Sequence, residues 1–156
     1  MPRYRHIPGL TPHPTRDPNG HSFGASHGQD ATLPDLNRSQ PLLSRDFLYG
    51  IDLFNEGYWW ECHEVLEPLW LIAGRGSPAG HSLQAVILCA AAHLKVLMGN
   101  NHGARLLFEN AENHVSEAAG FDLGLDLIGL LAETGACVTG DTHKPARLLL
   151  KSRLGR

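Results

Sequence analysis

The stretch LQAVILCAAAHLKVLM, Leu83 to Met98, is apolar on almost every side of a helix. A helix of that kind has to lie in the middle of a fold, covered by other elements. Its ends are marked. Ser77-Pro78 offers an N-cap followed by proline at the first helical position, and Gly99-Asn100 provides a stop. The rest of the chain must therefore supply covering surfaces, and its periodicity says they are helical.

Upstream, Ser44 is a candidate N-cap, Phe47, Leu48, Ile51 and Phe54 recur at helical spacing from about Leu42 on, and Gly57 is a natural terminator. A second helix is expected from Tyr58 to about Ala73, ended by Gly74 and Gly76 and kinked at Pro68. Downstream, roughly Asn101 to Ala118 places Ala104, Leu107, Phe108, Ala111, Val115 and Ala118 on one stripe, with Arg105, Glu109, Glu112 and Asn113 opposite. A shorter fifth helix is expected from Asp122 to about Glu133, and a last one after Pro145. No segment reads as a strand. The expectation is an all-α fold, a compact bundle of five or six short helices over residues 42–156. Residues 1–41 hold seven of the ten prolines and little apolar periodicity, so they read as an extended Pro/Gly/His-rich N-terminal arm.

Composition narrows the function classes. Hydrophobic residues at 42% and charged residues at 19% exclude wholesale disorder. A net charge of -3, with no basic run besides the terminal KSRLGR, removes the electrostatic footprint expected of a nucleic-acid partner. The longest apolar run, Ala85 to Leu94, is broken by His93 and too short to span a bilayer, so no membrane partner is expected. The start, MPRYRHIPGL, lacks the apolar core of a secretory signal, so the default location is cytoplasmic. Three cysteines without CxxC spacing suggest neither disulfides nor a thiolate zinc site, and Cys62 and Cys89 read as small core residues. A homo-oligomer is compatible with all of this.

Chemistry concentrates on the second helix. At about 100° per residue, Trp60, His63, Glu64, Glu67 and Leu71 share a face, with Trp70 at one edge and Glu61 at the other. No Lys or Arg between Asn55 and Ala73 stands ready to pair with those acids. His63 and Glu67 have the four-residue spacing of two metal ligands on a helix, and Glu64 stands where a zinc protease keeps its water-activating base. Such a donor set suits zinc, iron or manganese. A third ligand would come from His93, His13 or His21, although His93 falls on the far side of its helix and reads as a core histidine. The structural alternative buries His63 and Glu64 as hydrogen-bonded core residues, with Lys95 or Gln84 as partners for the carboxylates. Because Glu67 precedes Pro68, the spacing itself is open to distortion.

The arm carries its own signals. PGLTPHPTRDPNGHS, Pro8 to Ser22, includes the turn-forming Asp17-Pro18-Asn19-Gly20. It is expected to pack near the second helix as a lid, with His13 or His21 as a ligand and Arg16 set to neutralise Glu61 or Glu67; a mobile tether is the alternative.

FNEGYWWECHEVLEPLW, Phe54 to Trp70, followed by LQAVILCAAAHLKVLMGNNHGARLL, Leu83 to Leu107, resembles the domain of unknown function 309 family over about residues 44–132. The arm resembles an extension carried by some members. The resemblance implies a compact helical domain and a metal-dependent hydrolase activity, with no established substrate. It places the family motif on Tyr58, Trp60, Glu61, His63, Glu64, Glu67, Trp70 and Gln84. Two functions stand as expectations. The first is a hydrolase acting on an unknown small molecule, with Glu64 and Glu61 as catalytic candidates, a divalent metal on His63 and Glu67, and binding contributions from Trp60, Tyr58, Trp70, Gln84, Lys95, Arg16 and Asp17. The second is a non-catalytic helical interaction or scaffold module in which the same polar residues are structural.

Overall fold

The computed structural model describes residues 1–25 and 44–151. Residues 26–43, with His27 and the end of the arm, and residues 152–156, the rest of the expected last helix, lie outside them. Five helices follow in order: α1 Arg45–Asn55, α2 Trp59–Ala73, α3 Pro78–Leu97, α4 Asn101–Glu117 and α5 Leu127–Thr139. The fold is all-α, and α3 is its hub, packed against α2, α4 and α5 while α1 closes on α2. Leu83, Ala85, Val86, Cys89, Ala90 and Ala92 of α3 are buried, as an all-round apolar helix requires. Among the described residues α3 is the one helix long and apolar enough to cross a membrane, and most of that stretch is buried inside the bundle.

The caps work as their chemistry predicts. Ser44 accepts from the Phe47 amide, and Ser77 accepts from Gly80 N–H with Pro78 opening α3. Asn100 accepts from Gly103 N–H at the start of α4. The apolar stripe of α4 faces inward, and Arg105, Glu109, Glu112 and Asn113 are exposed. Where α1 crosses α2 the helices approach closely at Gly50, where a Cβ would lie 2.5 Å from Cδ2 of Leu66. A side chain at that position would force buried Leu66 to move.

α2 continues through Pro68 to Ala73, its expected end. Two local expectations are corrected. The fifth helix starts later and runs further than its periodicity indicated. The Asp122 side chain accepts from Gly124 N–H, Leu123 takes φ 57°, and the helix begins only where Asp126 caps Gly129 N–H. Buried Leu123 sits in that turn rather than on a helix.

The last helix after Pro145 does not form among the described residues. Residues up to Lys151 run extended instead, with a single antiparallel bridge between Leu125 and Leu150. Asn55, the last residue of α1, takes both backbone groups of Leu148, donating to its carbonyl at 3.0 Å and accepting from its N–H at 2.7 Å. Leu148 and Ala146 are thereby fixed in the core, and the side-chain amide replaces the hydrogen bonds that a helix would have made.

Candidate functional site

α2 presents polar groups in two opposite settings. His63, Glu64 and Glu67 lie on a half-exposed face, with side chains 40%, 30% and 41% accessible. Each offers one ligand atom, and the three atoms lie within 4.8 Å of one another. His63 Nε2 is 3.3 Å from Glu67 Oε2, and His63 Nδ1 is 3.7 Å from Glu64 Oε1. Because α2 passes through Pro68 without breaking, the four-residue spacing survives and keeps Glu67 beside His63. These residues are not core, which corrects the expectation that His63 and Glu64 are buried.

Glu61 faces the other way. It is 4% exposed, and the N-terminal arm covers it. The His6 amide donates to Glu61 Oε1 at 2.6 Å, and His21 Nε2 lies 3.0 Å from the same oxygen. A buried carboxylate is tolerated when partners of this kind replace water.

The arm around Glu61 has defined structure and packs against α2, as expected of a docked segment rather than a tether. Tyr4 Oη donates to Pro12 O and accepts from the His21 amide, and Tyr58 Oη donates to Pro2 O at 3.2 Å. Asp17 closes the turn by accepting from Asn19 N–H, and Gly20 is pressed against Pro14 so tightly that a Cβ would sit 2.2 Å from its carbonyl oxygen. His6 and His13 meet Trp60 edge to face, with ring centroids at 5.0 and 5.5 Å. Burial first, and then the neighbouring His13, lower the pKa of His6 and favour its neutral ring.

The three histidines considered as further ligands all have other partners. His21 holds Glu61. His13 Nδ1 accepts from the amides of Thr15 and Arg16 while its ring rests on Trp60. His93 is 2% exposed, stacked on Trp59 at 5.2 Å, and hydrogen-bonded through Nε2 to Thr134. Burial lowers its pKa to about 4. None of the three enters the His63 group.

Arg16 is exposed, and among the described residues the ion pairs of Glu61 and Glu67 are with His21 and His63. Lys95 and Gln84 are half-buried on α3, and no hydrogen bond or ion pair joins them to the α2 acids among the described residues. Trp70 has Arg75 stacked over its ring at 5.1 Å. His6 is the partner of Glu61 that sequence reasoning missed. Its bond to Glu61 is made by its backbone, which leaves no trace in residue type.

A search of curated proteins finds no match to the chain. A family model does match, over residues 47–107, from the first turns of α1 into α4. The arm and α5 lie outside that span. The segment that positions His63, Glu64, Glu67 and Glu61 thus resembles the family described as Domain of unknown function (DUF309).

Proposed function

We propose that the half-exposed face of α2 is a divalent-metal site serving hydrolysis of a small molecule. The observation that carries the reading is the convergence of one imidazole and two carboxylates within 4.8 Å on one helix. The donor set fits zinc, iron or manganese, all of which accept mixed nitrogen and oxygen ligands. His63 and Glu67 would hold the ion. When bound, it would supply Lewis acidity and a water of lowered pKa.

The residues of the chain divide the remaining work. Glu64, next to His63 on the same face, is the general base that takes a proton from the attacking water. Glu61 positions the arm rather than the reactants, since its one partnered oxygen is held by His6 and His21. Trp60, capped by His6 and His13, forms an aromatic wall where the arm meets α2. The setting is cytoplasmic in this reading, supported by three buried cysteines that are all free thiols.

One observation favours the non-catalytic interaction module instead. His63 and Glu67 lie 3.3 Å apart at i,i+4 and can serve each other as a half-exposed helix-face pair without an ion. Metal analysis of protein prepared without chelator or affinity metal decides between the readings. About one equivalent per chain, lost in His63→Ala and retained in Glu64→Gln, supports the metal site. Metal content well below one equivalent and unchanged by His63→Ala sinks it.

A further inference from the structure

Where the arm docks on α2, a hydroxyl, an imidazole and a carboxylate follow one another. Ser22 Oγ lies 2.8 Å from His21 Nδ1, and His21 Nε2 lies 3.0 Å from Glu61 Oε1. An ionised carboxylate only accepts, so Nε2 carries the proton of the neutral ring and Nδ1 is left to accept from the Ser22 hydroxyl. A Ser and a His that are neighbours in the chain can meet within one turn. A buried carboxylate brought from 40 residues away onto the opposite ring nitrogen is what a general base needs.

The three groups are held from several directions. The His21 side chain is 5% accessible and packs on Tyr4 with ring centroids 4.8 Å apart, while its amide donates to Tyr4 Oη at 3.1 Å. The Ser22 amide donates to Pro14 O at 2.9 Å. Glu61 is fixed on α2, and the His6 amide holds its Oε1 at 2.6 Å. Ser22 itself is half-buried, and Phe23, Gly24 and Ala25 beyond it are exposed, which leaves the hydroxyl at the open edge of the arm.

We propose that Ser22 is an activated nucleophile that accepts an acyl group from an activated ester, with His21 as its general base and Glu61 positioning His21. Ser22 Oγ forms a bond to the ester carbonyl carbon as its proton passes to His21 Nδ1. The same nitrogen then gives that proton to the departing alkoxide or phenolate, so the products are O-acyl-Ser22 and a free alcohol. Between the two transfers the ring is protonated on both nitrogens, and the Glu61 carboxylate faces its positive charge. Neither Ser22 nor His21 belongs to the His63 group, so the two sites stand or fall separately.

The test treats the full chain, in chelator, with p-nitrophenyl acetate and locates the acetyl group by peptide mass spectrometry. General-base assistance is worth about 10²–10⁴-fold, so the folded chain should acetylate Ser22 at least tenfold faster than the same chain in urea. Ser22→Ala should remove the label, and His21→Gln should slow it at least tenfold. Glu61→Gln keeps an acceptor for the His6 amide, but its NH₂ donates to His21 Nε2 and turns the ring to the Nδ1–H tautomer, which cannot take the proton. With hydrogen exchange over residues 1–25 unchanged, that variant should still label at least tenfold more slowly, a loss that a merely structural Glu61 does not produce. Should one of these variants release the arm, the other is read in its place. The proposal is overturned by a folded rate less than tenfold above that in urea, by a label on a residue other than Ser22, or by labelling within tenfold of the parent in either variant with the arm docked.

Discussion

Glu61 and Glu64 are three residues apart on one helix and live in different worlds. Glu61 is walled off by the arm, with Oε1 held by a backbone amide and an imidazole and Oε2 buried without a partner among the described residues, whereas Glu64 stands 30% accessible beside His63. The same side chain therefore carries opposite consequences. A buried carboxylate is tied to stability, because removing it strands the groups it satisfies. A half-exposed one is nearly free to change, so any strong effect of replacing it must come from function.

The largest expected effect tests the buried half. Glu61→Ala leaves the His6 amide and the His21 ring without their acceptor and should destabilise the fold by about 2–3 kcal/mol. Hydrogen exchange over residues 1–25 should rise with it. A loss below about 0.5 kcal/mol in chemical denaturation would mean that the arm is not anchored at Glu61.

The next effect sharpens the contrast through pH. His93 titrates near 4 in the fold because burial disfavours its charge, against about 6.5 when unfolded. Its folded pKa is depressed, so the neutral ring contributes stability above pH 6.5 that disappears as pH falls toward 4. Linkage gives a loss of about 2 kcal/mol by pH 5 relative to pH 7. His6 adds in the same direction, its pKa also being lowered. Urea denaturation at the two pH values measures the loss, and His93→Leu should flatten much of it. An unchanged slope in that variant would locate the pH sensitivity elsewhere.

A smaller effect probes the arm away from Glu61. Tyr58→Phe removes the hydroxyl that donates to Pro2 O and should lower stability by about 1 kcal/mol. A shift confined to exchange at residues 1–5, with global stability intact, would show that the arm frays from its end while Glu61 still holds.

The smallest stability change belongs to the exposed face. In chelator, His63→Ala and Glu67→Gln should each stay within about 0.5 kcal/mol of the parent. With Zn²⁺ at a hundred times its dissociation constant the parent should gain about 2.7 kcal/mol and His63→Ala almost none. Equal gains in both proteins would separate metal binding from His63.

Most of the fold was legible because helix signals are local. The Ser44 and Ser77 caps, the Gly99-Asn100 stop, the stripe of α4 and the all-round apolarity of α3 each follow from a few neighbouring residues. The errors lie where a distant partner intervened. Among the described residues, 146–151 lack a helix because Asn55, 93 positions from Leu148, claims its backbone. α5 is displaced because an Asp122 turn and a positive φ at Leu123 precede its Asp126 cap.

The site divides the same way. Sequence periodicity alone determined that His63, Glu64 and Glu67 share a face of α2, since 100° per residue is a property of the backbone. It did not determine which of the neighbouring carboxylates would be buried. Glu61 stood at the edge of that face, and only the docked arm decided its role by bringing His6 and His21 to it from 55 and 40 residues away. The line from Glu61 through His21 to Ser22 is half local and half tertiary, since Ser22 and His21 are neighbours in the chain whereas Glu61 lies 40 residues from that ring. Helical spacing is encoded within a turn or two of chain, whereas burial and partnership depend on which surfaces the completed fold brings into contact.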